Sequence, residues 1–233
     1  MADTTNLLDF KEIRDCLITD ECSLTRQIAT WQIADLRLFG TTVEQLVAAE
    51  DARVSATYSD SPEDYSGWWL RDVVSRQLRQ SFVAACLDAA AYNLNHVCRD
   101  VAMILDQCSP DLDRDSVKRA RCFLVKAGFS NPTPHQWDEV VDLYKFRNTV
   151  VHCMAITSDE EVRKEFGRLL RHAPGITVRS GSFNLSAEFT HYVHEKVRGL
   201  FDSLHREVVA MCRRLATQRG NPAGATDRQT VLL

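Results

Sequence analysis

A long stripe of apolar residues near the end of the chain constrains the fold more than any other feature. Phe189, Tyr192, Val193, Val197, Leu200, Phe201, Leu204, Val208, Met211, Cys212 and Leu215 recur at steps of three and four. That spacing puts them on one face of a long helix, and the face must be covered by other elements. Ser186 is the expected N-cap, because its hydroxyl can accept from the first free backbone N–H groups. Gly199 interrupts the helix interior and is read as a place where another helix packs closely. A second stripe comprises Val73, Val74, Leu78, Phe82, Cys86, Ala89, Val97, Val101, Ile104 and Leu105. It predicts another long helix from about Trp68 to Cys108, with Ser61-Pro62 and the acidic Glu63-Asp64 as start signals and Pro110 as the stop. The fold class read from this pattern is all-α, a helical bundle.

Shorter elements fill the intervals. Two helical segments are expected between about Leu24 and Ala56, broken at Gly40, with Thr42 capping the second and Gln45 completing a capping box. A helix from about Asp115 ends at Gly128, a natural residue to follow a helix in left-handed conformation. Asn131-Pro132-Thr133-Pro134 is then a rigid turn, with Thr133 as N-cap, Pro134 as first helical residue and Gln136 as capping-box partner. The helix it starts runs to about Val151 and is expected to bury Trp137, Val140, Val141, Tyr144 and Val151. Ser158-Asp159-Glu160-Glu161 opens a further helix that closes before Pro174. Only Ile176 to Leu185 departs from helical spacing: polar and apolar residues alternate on both sides of Ser180-Gly181, the signal of a small β-hairpin. The expected organisation is an N-terminal helical segment (1–60) packing on a helical domain (61–218), followed by a disordered tail (219–233).

Composition narrows the function classes. Nine Gly and six Pro in 233 residues are too few for a turn-rich all-β chain. No apolar run approaches the roughly 18 residues that a membrane-spanning helix needs. The opening residues, Met1-Ala2-Asp3-Thr4-Thr5-Asn6, carry neither a positive nor an apolar region, so a secretory leader is not expected and the cytoplasm is the expected location. The eight Cys include no C-x-x-C pair and fall mostly among apolar residues, so buried reduced thiols are expected. The net charge of −4 lays no global claim on nucleic acid. The basic groups Arg76 with Arg79, Lys118-Arg119 with Arg121, and Arg213-Arg214 are read as solvated helix faces.

Chemistry concentrates at the end of the Pro134 helix, in Tyr144-Lys145-Phe146-Arg147-Asn148-Thr149-Val150-Val151-His152. Asn148 and His152 are spaced to share a helix face, which Tyr144 and Lys145 continue one turn earlier. Arg147 projects about 140° from His152 on an ideal helix. Its length allows it to curl back; alternatively, the β-branched run Thr149-Val150-Val151 loosens the last turn. A guanidinium, an amide and an imidazole at one helix end suit a phosphodiester. Arg grips non-bridging oxygens in a planar fork and keeps its charge, and His exchanges a proton near neutral pH. The bare R-x4-H spacing is expected by chance on the order of once in such a chain, and Asn directly after the Arg lowers that to roughly one in fifty. The competing structural reading is a C-terminal His favoured by the helix dipole beside a surface Arg.

Arg147-Asn148-x-x-x-His152 resembles the R-N-x-x-x-H motif of the HEPN (higher eukaryotes and prokaryotes nucleotide-binding) domains. Those are all-α bundles with the motif near the end of a late helix, and a small hairpin and long final helix are compatible with them. The resemblance covers about residues 60 to 218. It implies an endoribonuclease that works without metal or other cofactor, the ribose 2′-OH attacking to leave a 2′,3′-cyclic phosphate. Arg147 would stabilise the phosphorane charge, His152 would move a proton and Asn148 would position the phosphate, with Lys145 and Tyr144 as substrate-binding residues. Family sites are commonly composite across a homodimer, and family members serve in cell defence or stress, some with an inhibitor partner. Many such toxins carry a modified Tyr two residues after the His; here Met154 stands there, which departs from that control. Two rivals remain: a non-catalytic HEPN-like module that binds nucleotide or RNA or acts as an adaptor, and a helical protein-interaction domain.

Weaker constellations complete the reading. His191 and His194 lack a third metal ligand and are read as a solvent-facing pair, with His205 more distant. Asn93 falls on the second stripe and is read as a hydrogen-bonded core residue. Trp68-Trp69 could stack bases but read better as anchors at a helix start. No nucleophile elbow, Gly-rich phosphate loop or Walker pattern occurs.

Overall fold

A computed structural model describes residues 23–57, 65–110, 116–151, 158–179 and 182–220. Among them are helices α1 (Ser23–Thr57), α2 (Tyr65–Leu105), α3 (Ser116–Lys126), α4 (Pro134–Val151) and α5 (Asp159–His172). Strands β1 (Ile176–Arg179) and β2 (Ser182–Leu185) and the final helix α6 (Ala187–Gly220) follow. Among the described residues the fold is all-α with one two-stranded sheet. No described helix is long and apolar enough to cross a membrane.

The two striped helices make the frame. α2 and α6 pack on each other, α1 lies against both, and α4 packs on α6 and α2. α3 and α5 cover the flanks of α4. One continuous core results, running from Leu36 and Val43 of α1 through Phe82, Leu87, Leu94 and Val101 of α2 to Phe189, Val197, Leu204 and Cys212 of α6. The hairpin is antiparallel with Ile176 opposite Leu185 and Val178 opposite Phe183. It turns Ile176, Phe183 and Leu185 into that core, the support that an isolated two-stranded sheet needs.

Local capping chemistry sets several helix ends. The Thr133 hydroxyl accepts from Gln136 N at 3.3 Å while Gln136 Oε1 accepts from Thr133 N at 2.9 Å, a reciprocal box that starts α4. Ser158 Oγ accepts from Glu161 N, and Ser186 Oγ from Glu188 N. Gly128 takes φ +90 after α3, where its N–H and that of Phe129 bond back to Val125 and Leu124. α2 stops short of its expected end at Cys108: Asp106 takes φ 56, and its N–H and that of Gln107 close onto Met103 and Ala102. The same C-terminal motif thus forms on a residue type that visits the left-handed region only occasionally.

Gly40 does not break the first helix, which runs unbroken to Thr57. Thr42 is therefore no N-cap; its hydroxyl donates back to the Leu38 carbonyl at 3.0 Å. A side chain at Gly40 would put its Cβ 3.0 Å from two carbons of the Phe82 ring, so this glycine is the place of close approach between helices. Gly199, read as such a place from its position in α6, has open space where its Cβ would be. α6 continues through Gly220, so the first two residues of the expected tail are helical, and the remainder lie outside the described residues.

Candidate functional site

The candidate site is built on α4, and its neighbours hold that helix from several sides. Trp137, Val140, Leu143 and Phe146 are buried, while Val141 and Tyr144 are only partly so. Leu143 and Phe146 were not on the single stripe expected, because α2, α3, α5 and α6 all contact α4 and leave it a wider apolar face than one partner would. Phe146 is the centre of an aromatic cluster: its ring centroid lies 4.8 Å from that of Phe183, 5.3 Å from Phe189 and 6.2 Å from Phe166, all edge to face. On the outer side Asp138 meets Arg121 at 2.7 Å, Asp142 meets Arg168, and Glu139 meets Lys196 at 2.5 Å. The middle of α4 is thereby tied to α3, α5 and α6.

Phe146 fixes where the next residue emerges. Arg147 leaves the core towards α2, and its Nη2 lies 2.7 Å from Asp88 Oδ1. Nη1 donates to Asn148 Oδ1 at 2.9 Å. Nε is shut off from solvent and has no hydrogen-bond partner among the described residues. The Arg147 side chain is 21% exposed and that of Asp88 54%; Asn148 is exposed. Guanidinium, amide and carboxylate form one polar patch beside the end of α4.

Tyr144 and Lys145 diverge. The Tyr144 hydroxyl donates to the Leu87 carbonyl of α2. Burial pushes its phenol far above the usual range, the Asp88 carboxylate pushes it further, and Arg147 offsets part of this. Tyr144 therefore stays protonated and cannot act as a phenolate base; what it does is clamp α4 to α2 one turn before Arg147. Lys145 turns instead towards α5, where its Nζ lies 3.3 Å from Glu165 Oε1 and 5.3 Å from the Phe166 ring centroid. The structure brings Tyr144, Arg147 and Asn148 together beside α2 and places Lys145 apart from them. α4 is helical through Val151, with the Thr149 hydroxyl bonded back to the Lys145 carbonyl at 3.1 Å. His152 and Met154 lie outside the described residues.

Asp88 has no signal in the sequence: it is one acidic residue on a long amphipathic helix, and only packing brings it to Arg147. A second hidden contact corrects the reading of Arg79 as part of a solvated face. Its side chain is 17% exposed and bonds bidentately to Glu44 of α1, with a further bond to the Leu185 carbonyl. Arg121 likewise pairs with Asp138, whereas Lys118, Arg119, Arg213 and Arg214 are exposed as expected.

The remaining candidates separate in the same way. His191 is exposed but His194 is buried beside Val193 and Val197 on the apolar stripe, so the two are not a solvent-facing pair. No group of three His, Cys, Asp or Glu among the described residues is arranged to hold a metal. Cys86, Cys98 and Cys212 are buried and form no disulfide, and burial pushes the thiols of Cys86 and Cys98 up to about 12, which leaves them unreactive. Cys108 and Cys122 are exposed, against the expectation. Asn93 is in the core. The side chains of Trp68 and Trp69 lie outside the described residues.

Comparison of the chain with protein-family models, with curated proteins and with solved structures finds no match.

Proposed function

We propose that this chain is a metal-independent endoribonuclease of the HEPN type, cleaving RNA by attack of the ribose 2′-OH. The observation that carries the reading is the delivery of Arg147 and Asn148, as a hydrogen-bonded pair at the surface, from the end of a helix tied to three neighbours by ion pairs. An arginine there stabilises charge developing on a phosphorane through donors already in place. His152 follows in the motif and is the proton-transfer group; two motif helices meeting across a homodimer would supply both an acid and a base. Asn148 orients the scissile phosphate. A core built from α2, α4 and α6 gives such a site the fixed backbone it needs.

The test is RNA cleavage in excess chelator by the wild type, His152→Ala and Arg147→Ala. Cleavage that survives chelation, leaves cyclic-phosphate ends and falls by roughly a hundredfold or more in each folded variant is the expected outcome. A well-folded wild type that leaves a broad panel of RNAs intact removes the enzyme reading. The alternative is a HEPN-like module that binds nucleotide or RNA without cleaving it. RNA binding that depends on Arg147 in a protein without cleavage activity selects it.

A further inference from the structure

We propose that Asp88 is a positioning residue for Arg147, holding its guanidinium in the orientation in which it meets a phosphodiester. The inference rests on the RNA-cleaving reading, and on a contact which that reading does not use. Asp88 Oδ1 takes Nη2 of Arg147 at 2.7 Å, and Asn148 Oδ1 takes Nη1 at 2.9 Å. A guanidinium carries five N–H donors in a rigid plane; Asn148 takes one on Nη1, and the Asp88 carboxylate pairs with the charge at Nη2. Nε is enclosed by protein. The terminal nitrogens thus keep N–H donors for a phosphate.

The consequence is kinetic. A long Arg side chain loses rotamer freedom when it engages a substrate, and a carboxylate clamp removes that freedom beforehand. Donors preorganised in this way stabilise the transition state more than the ground state. The clamp has an opposite effect on binding, because a carboxylate beside Arg147 repels the phosphate backbone of free RNA. Asp88 thus favours turnover at the expense of affinity. It touches no reacting atom and acts through Arg147 alone. Tyr144, anchored to the carbonyl of the residue before Asp88, keeps the two helices in the register that this contact requires.

Single-turnover cleavage and equilibrium binding of one fluorescent RNA oligonucleotide, measured for the wild type, Asp88→Ala, Asp88→Asn and Asp88→Glu, test this. Asp88→Ala is expected to slow the chemical step roughly tenfold while RNA affinity stays equal or rises, and Asp88→Glu to recover part of the rate. A merely structural role would lower rate and affinity together with the melting temperature. Should Asp88→Ala fail to fold, Asp88→Asn keeps the shape without the charge and carries the same test. A cleaving wild type with Asp88→Ala within twofold of its rate, or with the loss confined to affinity, overturns the positioning role alone. An inert wild type overturns it together with the reading on which it rests.

Discussion

Replacing Glu44 by Ala should loosen α1 from the rest of the bundle, and the geometry sets the size of the effect. Arg79 donates to the Glu44 carboxylate through Nε at 3.1 Å and Nη2 at 2.7 Å, and the Thr190 hydroxyl donates to it at 3.2 Å. The pair is neither fully buried nor exposed, at 17% for Arg79 and 26% for Glu44. Breaking a buried pair costs about 3–5 kcal/mol and losing an exposed one about 0–1, so an intermediate bidentate pair is worth about 2. The Thr190 hydroxyl shares its one proton between Glu44 and the nearer Ala187 carbonyl at 2.8 Å, so its loss of Glu44 adds only about 0.5 kcal/mol. A total of about 2–3 kcal/mol corresponds to a fall in melting temperature of roughly 5–10 °C for a chain of this size. Denaturant unfolding of Glu44→Ala, Arg79→Ala and the double variant gives the pairwise coupling directly, expected at about 1–2 kcal/mol. Coupling near zero would refute the claim that this contact joins α1 and α2, and leave their association to apolar packing alone.

Two further outcomes follow from particular residues. Gly40→Ala and Gly199→Ala should differ by about 1–3 kcal/mol, because both gain the helix propensity of Ala but only the first presses on the buried Phe82 ring. Thermal melts in which Gly199→Ala is not the more stable of the two would contradict that packing. Burial pushes the Glu207 carboxyl up, but hydrogen bonds from Ser130 and Asn131 outweigh it and hold the group below its ordinary value of 4.5. A depressed carboxylate stabilises the fold above the unfolded value, and that stability is lost as pH falls through the folded one. Glu207→Gln should therefore cost about 1 kcal/mol or less at pH 7, the charged hydrogen bonds being largely screened, with the difference closing as the pH falls through the lowered value. A gap that persists in acid would assign the loss to shape instead of charge.

What the chain settles by itself is local. Helical spacing and short-range caps located α4, α5 and α6 and their first residues, and alternation about Ser180-Gly181 located the hairpin, because each signal lies within a few residues of the structure it specifies. Arg147 and Asn148 were legible at a helix end for the same reason, though not the hydrogen bond between them. Tertiary packing decided the rest. A glycine in a helix has no side chain to declare its purpose, so Gly40 looked like a break and Gly199 like a contact until the Phe82 ring showed which was which. Lys145 and Tyr144 differ by one step along α4, but α5 takes one and α2 the other. Asp88 and Arg147, like Glu44 and Arg79, are far apart in sequence. Their attraction has no periodicity to betray it, and it acts only after the apolar stripes have brought the helices together.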